Sequence, residues 1–473
     1  MMSRQDDTAG SVAPQRIAPG QALAELFAEK LIAIALDRLP ERTRDVALDD
    51  LIDAAGLCVA ARQSDYIAAL MRGWDGDGPC TAIGQARGFD AAGAALVNGT
   101  AIHGEDFDDT LEGAPIRVGA MVIPAVLAAC ERHGRSGADA LRGIVAGLET
   151  VCRINQVVPG AIHKAGFHPV GVLGTIGAAA GAGVALGLDT LQMGRALGIA
   201  GSFASGIGEF LTEGAWTKRL HPGWSAQSGY RAAMLGQAGF IGPRTIFEGR
   251  RNLFKVFGRD APARLDGMLD GLGERFLLEA IAFKPYACGT MIHPYIDCMI
   301  ALAREGVQAD EIVEIVCEAA EGPVDRLWEP LADKHAPPSG YAAKFSMPFG
   351  MAVGFFDGDA GLAQFTDEKA RDPRILALAK RIRYVVDPAN PYPVDYTGHV
   401  RATLRDGRVR EIRRPHMRGG RHAPLSRAEL IAKFHGNVAH GGLSRRYGED
   451  LLATCLDIAS LPDLSRLSAL RAI

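Results

Sequence analysis

The stretch HGEDFDDTLEG, His103 to Gly113, sets Glu105, Asp106, Asp108 and Asp109 within five positions, directly after a histidine and the apolar run AAGAALVNGTAI. Carboxylates that close repel and raise one another's pKa unless cations answer them. Two arrangements meet that demand: an acidic patch facing water, or one wall of a cavity whose other walls are basic. Read as a helix or helix end, the segment puts His103, Asp106 and Thr110 on one face, with Asp109 near it and Glu105 and Asp108 turned elsewhere. A buried Asp, or a neutral His tuned towards neutral pH, suits general-base chemistry.

Basic groups occur in the same apolar, glycine-rich style. GFHPVG places His168 just before a helix with Pro169 at its first position. TKRLHPGWSAQSG gives Lys218, Arg219 and His221, again ahead of a helix, and FKPYACGTMIH gives Lys284, Tyr286, Cys288 and His293. Helix N-termini together with Lys and Arg side chains make anion sites. Each group also has a structural reading: a hydrogen-bonded core histidine, a solvated Lys–Arg face, a boundary lysine. Convergence in space is what separates the two.

The elements that must position these groups are helical from Ala22 to about Arg275, with apolar residues three and four apart. In DVALDDLIDAAGLCVAARQ, for example, Leu48, Leu51, Ile52, Ala55, Cys58 and Val59 form one stripe. Past FKPYACGTMIHPYIDC the period changes. EIVEIVCEAAE and RIRYVVDP alternate like strands, and GHVRATLRDGRVREIRR reads as a hairpin turning at Asp406-Gly407. PLSRAELIAKFHGNVA then returns to helix through a capping box of Ser426 and Glu429. The expected fold class is mainly α. A large all-helical domain (21–280 and 421–473) carries a smaller α+β domain (281–420) inserted before the C-terminal helices, and residues 1–20 form a disordered leader.

With 51 basic against 55 acidic side chains, the formal charge is −4, which gives no sign of a nucleic-acid or membrane-surface protein. The 8 cysteines are scattered without metal-ligand spacing, as expected of reduced thiols in the cytoplasm. The least polar run, VGVLGTIGAAAGAGVALGLD, suits a tightly packed core helix better than a membrane span. DFDD also matches the D-x-D-D pattern of proton-initiated terpene cyclases. Their pockets are aromatic-lined, however, and this chain has 4 Trp, 7% aromatic residues and Lys and His in its other motifs.

Taken together, NGTAIHGEDFDDT, GFHPVGVLGTIGAAAGAGVALGL, TKRLHPGWSAQSG, FKPYACGTMIHPYID and AAKFSMPFGMAV resemble, in order and spacing, the MmgE/PrpD family. That family groups 2-methylcitrate dehydratase, cis-aconitate decarboxylase and iminodisuccinate epimerase. The resemblance runs from about Ala22 to LSRAELIAKF. It implies a large helical domain with a smaller α+β domain closing over it, a homodimer, no metal or organic cofactor, and a small di- or tricarboxylate substrate. The implied activity is that of a dehydratase-like lyase, with decarboxylase or epimerase as alternatives and a catalytically retired carboxylate-binding dimer as a different class.

By the same resemblance Asp106, His168 and Lys218 are catalytic, and His103, Thr110, Arg117, His221, Lys284, Tyr286 and Cys288 bind substrate. The chemistry fits, because a proton beside a carboxylate is hard to remove until fixed cations and donors hold the resulting charge. Lys218, Lys284 and His221 supply them, and the base is Asp106 or His168. This chain departs from the family in two places. Arg117 stands where many members have a histidine; it cannot transfer a proton but binds a carboxylate bidentately, which weighs against dehydration of 2-methylcitrate. Cys288 stands near where decarboxylase-like members use a histidine, which weighs against itaconate formation.

Overall fold

The computed structural model describes residues 20–259 and 261–471, so the expected leader lies, apart from Gly20, outside the described residues. The helical body is built from α1 (Leu23–Ile32), α2 (Glu41–Ala60), α3 (Ala91–Gly104), α4 (Gly119–His133), α5 (Gly137–Asn155), α6 (Pro169–Leu186), α7 (Thr190–Phe203) and α8 (Thr217–Gln237). The glycine-rich α6 lies at its centre, packed on α4, α5, α7 and α8, and every residue from Val170 to Leu186 is buried. It is long and apolar enough to cross a membrane, but 94% of it is buried inside the protein. Glycine is what allows that packing. A Cβ on Gly177 would stand 2.2 Å from Val151.

Glycine also sets the crossing of α3 with α8. A Cβ on Gly223 would meet the Leu96 carbonyl at 2.2 Å, and one on Gly99 would meet the Gly223 Cα at 2.7 Å, so the two backbones touch directly. The end of α3, with His103, thereby meets the start of α8, with Lys218 and His221. These two residues lie inside the first turns of α8 and not ahead of it, as the sequence reading had them. Pro222 follows within the helix and has no N–H to give to the Lys218 carbonyl.

Two short strands tie the acidic segment to the second half of the chain. β3 (Thr110–Leu111) pairs antiparallel with β4 (Ile281–Ala282), Thr110 opposite Ala282, after the small hairpin of β1 (Asp77–Thr81) and β2 (Gly88–Phe89). Lys284, two residues past β4, is thus delivered to the loop before β3.

Beyond α9 (His293–Arg304), the strands β5 (Ile312–Ala319), β6 (Ile382–Val386), β7 (Gly398–Leu404) and β8 (Val409–Arg414) form one sheet in the order β6-β5-β7-β8. β5 and β6 are parallel and the other pairs antiparallel. The β7–β8 hairpin turns as expected at Asp406-Gly407, where Gly407 has φ +85° and donates to the Leu404 carbonyl at 2.9 Å. α10 (Met347–Asp357) packs on α9, and α9 on β7 and β8. The chain then returns through α11 (Arg427–His440), which opens with the expected Ser426–Glu429 capping box and packs on α2, and α12 (Arg445–Leu456). The fold is mainly α with a small sheet-bearing part.

The α3–α8 contact leads to a stability test. Gly223→Ala overpacks two backbones and costs about 1–3 kcal/mol, read as a lower urea midpoint. Catalysis should fall with it, because Lys218 rides on the same helix.

Candidate active site

α3 stops at Gly104, where a Cβ would stand 2.0 Å from the Tyr66 hydroxyl, and the chain turns sharply. Asp106 takes the left-handed conformation, φ 55°, which few residues other than glycine adopt and which Asp tolerates better than most. His103, Asp106 and Thr110 therefore do not share a helical face as the sequence reading had them. They converge through a loop and a strand.

That turn places the Asp106 carboxylate among three cations. Its Oδ1 accepts from Arg117 Nη2 at 3.0 Å and from Lys284 Nζ at 3.3 Å, and Lys218 Nζ lies 3.5 Å away. Lys284 Nζ also donates to the Asp106 carbonyl at 2.5 Å. Burial alone would raise the Asp106 pKa, but Lys218, Lys284 and Arg117 outweigh it and hold the carboxyl well below its usual range. Asp106 is thus a fixed anion that organises the cations, and such a low pKa makes it a weak base. Burial, then the Arg117 charge, brings Lys284 down to about 8, against the opposite pull of Asp106 and Asp108.

Beside this cluster sit three histidines. His103 Nδ1 lies 2.7 Å from Asp108 Oδ2, both side chains being buried, while Asp108 Oδ1 forms an ion pair with Arg117 Nε at 3.3 Å. His168 stands at the start of α6, with Nδ1 3.0 Å from Nδ1 of His221, so one nitrogen of that pair carries the proton. The His103 ring lies 5.8 Å from that of His168, and Phe210 packs on both His168 and His221. Burial lowers all three, His221 to about 4, so the histidines are neutral near pH 7.

Other expected residues lie further out. Thr110 is buried, its Oγ1 without a partner among the described residues. The Tyr286 hydroxyl donates to Asp297 at 2.6 Å, accepts from Arg418 at 3.2 Å and makes no hydrogen bond to the cation cluster. Cys288 is a buried thiol pushed up by burial, and its carbonyl lies 3.4 Å from His293 Nε2.

The sequence reading missed Lys344. It donates to Glu105, carbonyl and Oε2, at 2.7 Å each. Burial opposes it, but Lys344 brings the Glu105 carboxyl down to about 2. The signal was there: a lysine inside the apolar AAKFSMPFGMAV.

Behind the cluster lies a second acidic layer. Asp109 accepts from the Val118 and Gly119 amides at 2.8 and 3.1 Å, capping α4. Burial and repulsion from Asp108 raise it to about 7, and burial with Asp109 repulsion raises Asp50 well above the usual carboxylate range. Lys433 answers Asp53 at 2.8 Å. Away from all of this, Asp395, His416 and His422 bring ligand atoms within 4.8 Å of one another, a set compatible with a metal ion among the described residues.

A buried carboxylate gripped by three cations, flanked by neutral histidines, is equipment for binding a small polyanion and moving a proton beside it. The MmgE/PrpD N-terminal domain matches residues 25–266 and the MmgE/PrpD C-terminal domain residues 286–457, and the chain belongs to the MmgE/PrpD family. It is similar to the cis-aconitate decarboxylase of Mus musculus, 30% identical over 394 residues, which cover 80% of this chain and 78% of the relative. The enzyme of the same name from Aspergillus terreus (strain NIH 2624 / FGSC A1156) is 28% identical over 404 residues, 80% and 79% of the two chains. That of Homo sapiens is 27% identical over 394 residues, 80% and 78%.

Two pH effects follow. Deprotonating Lys284 removes a cation from the grip, so kcat/KM for a carboxylate substrate should fall as pH rises through about 8. Lys284→Met should give a low value without that limb.

Asp50 and Asp109 hold protons in the folded chain where an unfolded Asp, with a pKa of about 3.9, has released them. Stability therefore falls as pH climbs from there up to the raised values and levels off above them. Asp50→Asn should raise the melting temperature by a few degrees at pH 8 and by less at pH 5.

Proposed function

We propose that the chain is a lyase of small polycarboxylates that works by proton transfer at carbon beside a carboxylate. The observation that carries this reading is the convergence of Arg117, Lys218 and Lys284 on the single Asp106 oxygen. An incoming di- or trianion finds these cations already fixed, and the charge that develops on its carboxylate in the transition state falls where they can stabilise it. Asp106, held ionised, acts as anchor, which leaves proton transfer to the neutral histidines. A bound polyanion raises their pKa, so the same groups that remove a proton in one step can return one in another.

Loss of carbon dioxide from an acid of the cis-aconitate type is the first reading, supported by the names of the relatives. Cys288 weighs against it, while His293, with Nε2 3.4 Å from the Cys288 carbonyl, supplies a histidine close by in the fold. Elimination of water, the dehydratase-like reaction, is the second reading. Lys284 favours it, because an amine with a pKa of about 8 beside the anchor can protonate a departing hydroxyl. A homodimer belongs to the same proposal. Phe203, Ile207, Leu211, Trp216, Trp224 and Phe240, all exposed, crowd the stretch around α8 and support it. Placement in the cytoplasm is supported by the 8 free, buried cysteines.

Purified protein given cis-aconitate, 2-methylcitrate and iminodisuccinate separately in deuterated water, followed by NMR, separates the readings. Decarboxylation of cis-aconitate with one deuterium placed on carbon is expected. Water loss from 2-methylcitrate selects the second reading, and no turnover or exchange with any of the three sinks the proposal. Asp106→Ala and Lys218→Ala should each lower kcat/KM by about 10²–10³-fold or more, with folding intact by circular dichroism.

A further inference from the structure

We propose that His103, through Nε2, is the residue that takes and returns the proton, and that Asp108 is its positioning residue. The proposal deepens the lyase reading and rests on it. Asp106 is too weak a base, pinned as it is by three cations. His168 has only the neutral His221 ring behind it at 3.0 Å, so an imidazolium formed there would face no carboxylate. His103 alone of the three has a carboxylate behind it, Asp108 Oδ2 at 2.7 Å from Nδ1.

That contact fixes the tautomer. Nδ1 carries the hydrogen towards Asp108, and Nε2 is left with its lone pair. Nε2 is buried and has no hydrogen-bond partner among the described residues, although a buried polar atom is almost always paired. Asp108 itself is held from its other oxygen by Arg117 Nε at 3.3 Å, so it cannot swing away. The arrangement is the acid–histidine half of a catalytic triad, in which the acid orients the ring and stabilises the imidazolium without taking the proton.

In the forward step the Nε2 lone pair takes the proton from carbon, and the C–H electron pair passes into the neighbouring substrate carboxylate, where the cations meet it. The imidazolium forms against Asp108. In elimination that pair expels the hydroxyl, which leaves as water with a proton from the Lys284 ammonium, while His103 keeps the proton taken from carbon and releases it to solvent. In decarboxylation His103 takes up one proton from the bulk solvent as the polyanion binds; the C–C pair left behind by carbon dioxide takes that proton, and His103 returns to neutral, so each turnover consumes one solvent proton. The charges that face His103 are Asp108 and Asp106 on its own loop, Arg117 before α4 and Lys218 on α8, with His168 across from it.

His103→Gln should lower kcat by about 10²–10⁴-fold while KM stays within a few-fold. Asp108→Asn keeps the shape but removes the anion. It should lower kcat by less and move the acid limb of the kcat/KM profile to lower pH, because the imidazolium loses its partner. Independently of turnover, the wild-type protein should show a proton resonance far downfield of the amides for the His103 Nδ1–H, absent in His103→Gln and shifted in Asp108→Asn. A His103→Gln enzyme with kcat within about threefold of wild type overturns the proposal, as does absence of the downfield proton. Failure of the wild-type chain to turn over any polycarboxylate overturns the lyase reading and the proton-transfer role with it, while the downfield signal still decides the pairing.

Discussion

The structure turns on one buried charge. An aspartate with 1% of its surface exposed carries a large desolvation penalty, and Asp106 stays ionised because Arg117, Lys218 and Lys284 reach it from three separate parts of the chain. Each arrives by a different device. Arg117 comes from the loop before α4, Lys218 from the start of α8 through the Gly99–Gly223 crossing, and Lys284 from the end of β4 through its two-residue ladder with β3. Removing any of them leaves buried charge uncompensated, so the helical body and the second half of the chain are bound together by electrostatics as well as by packing.

Much of the fold was legible because helices buried on one face carry a regular stripe. The stripe of DVALDDLIDAAGLCVAARQ became α2, the capping box of Ser426 and Glu429 opened α11, and Asp406-Gly407 turned a hairpin. These are local signals, each decided within a few residues. The expected set of site residues was legible in part for the same reason. Asp106, Lys218 and Lys284 stand in apolar, glycine-rich motifs, where a charge has to be answered, and Lys218 and Lys284 meet Asp106 from more than a hundred positions away.

What sequence could not supply was direction. Helical spacing put Asp108 on the wrong side, whereas the left-handed turn at Asp106 swings it beneath His103. Lys344 was overlooked because one lysine in an apolar run reads as an end or an edge, and its partner Glu105 lies 239 positions away. Asp50 and Asp53, beside the apolar stripe of α2, are buried against the acidic loop.

Arg117 shows what a single replacement in such a cluster does. A neutral histidine there would leave two lysines facing Asp106 and Asp108 with no net charge. The guanidinium adds a permanent cation and uses two nitrogens to bridge both carboxylates, at 3.0 and 3.3 Å. Three cations against two carboxylates leave one positive charge at the heart of the site below about pH 8, where Lys284 keeps its proton, and the Arg117 contribution to it does not titrate. The proton-handling and charge-holding duties are thereby divided: Arg117 holds charge at any working pH, and the histidines, kept neutral by burial, are free to exchange protons.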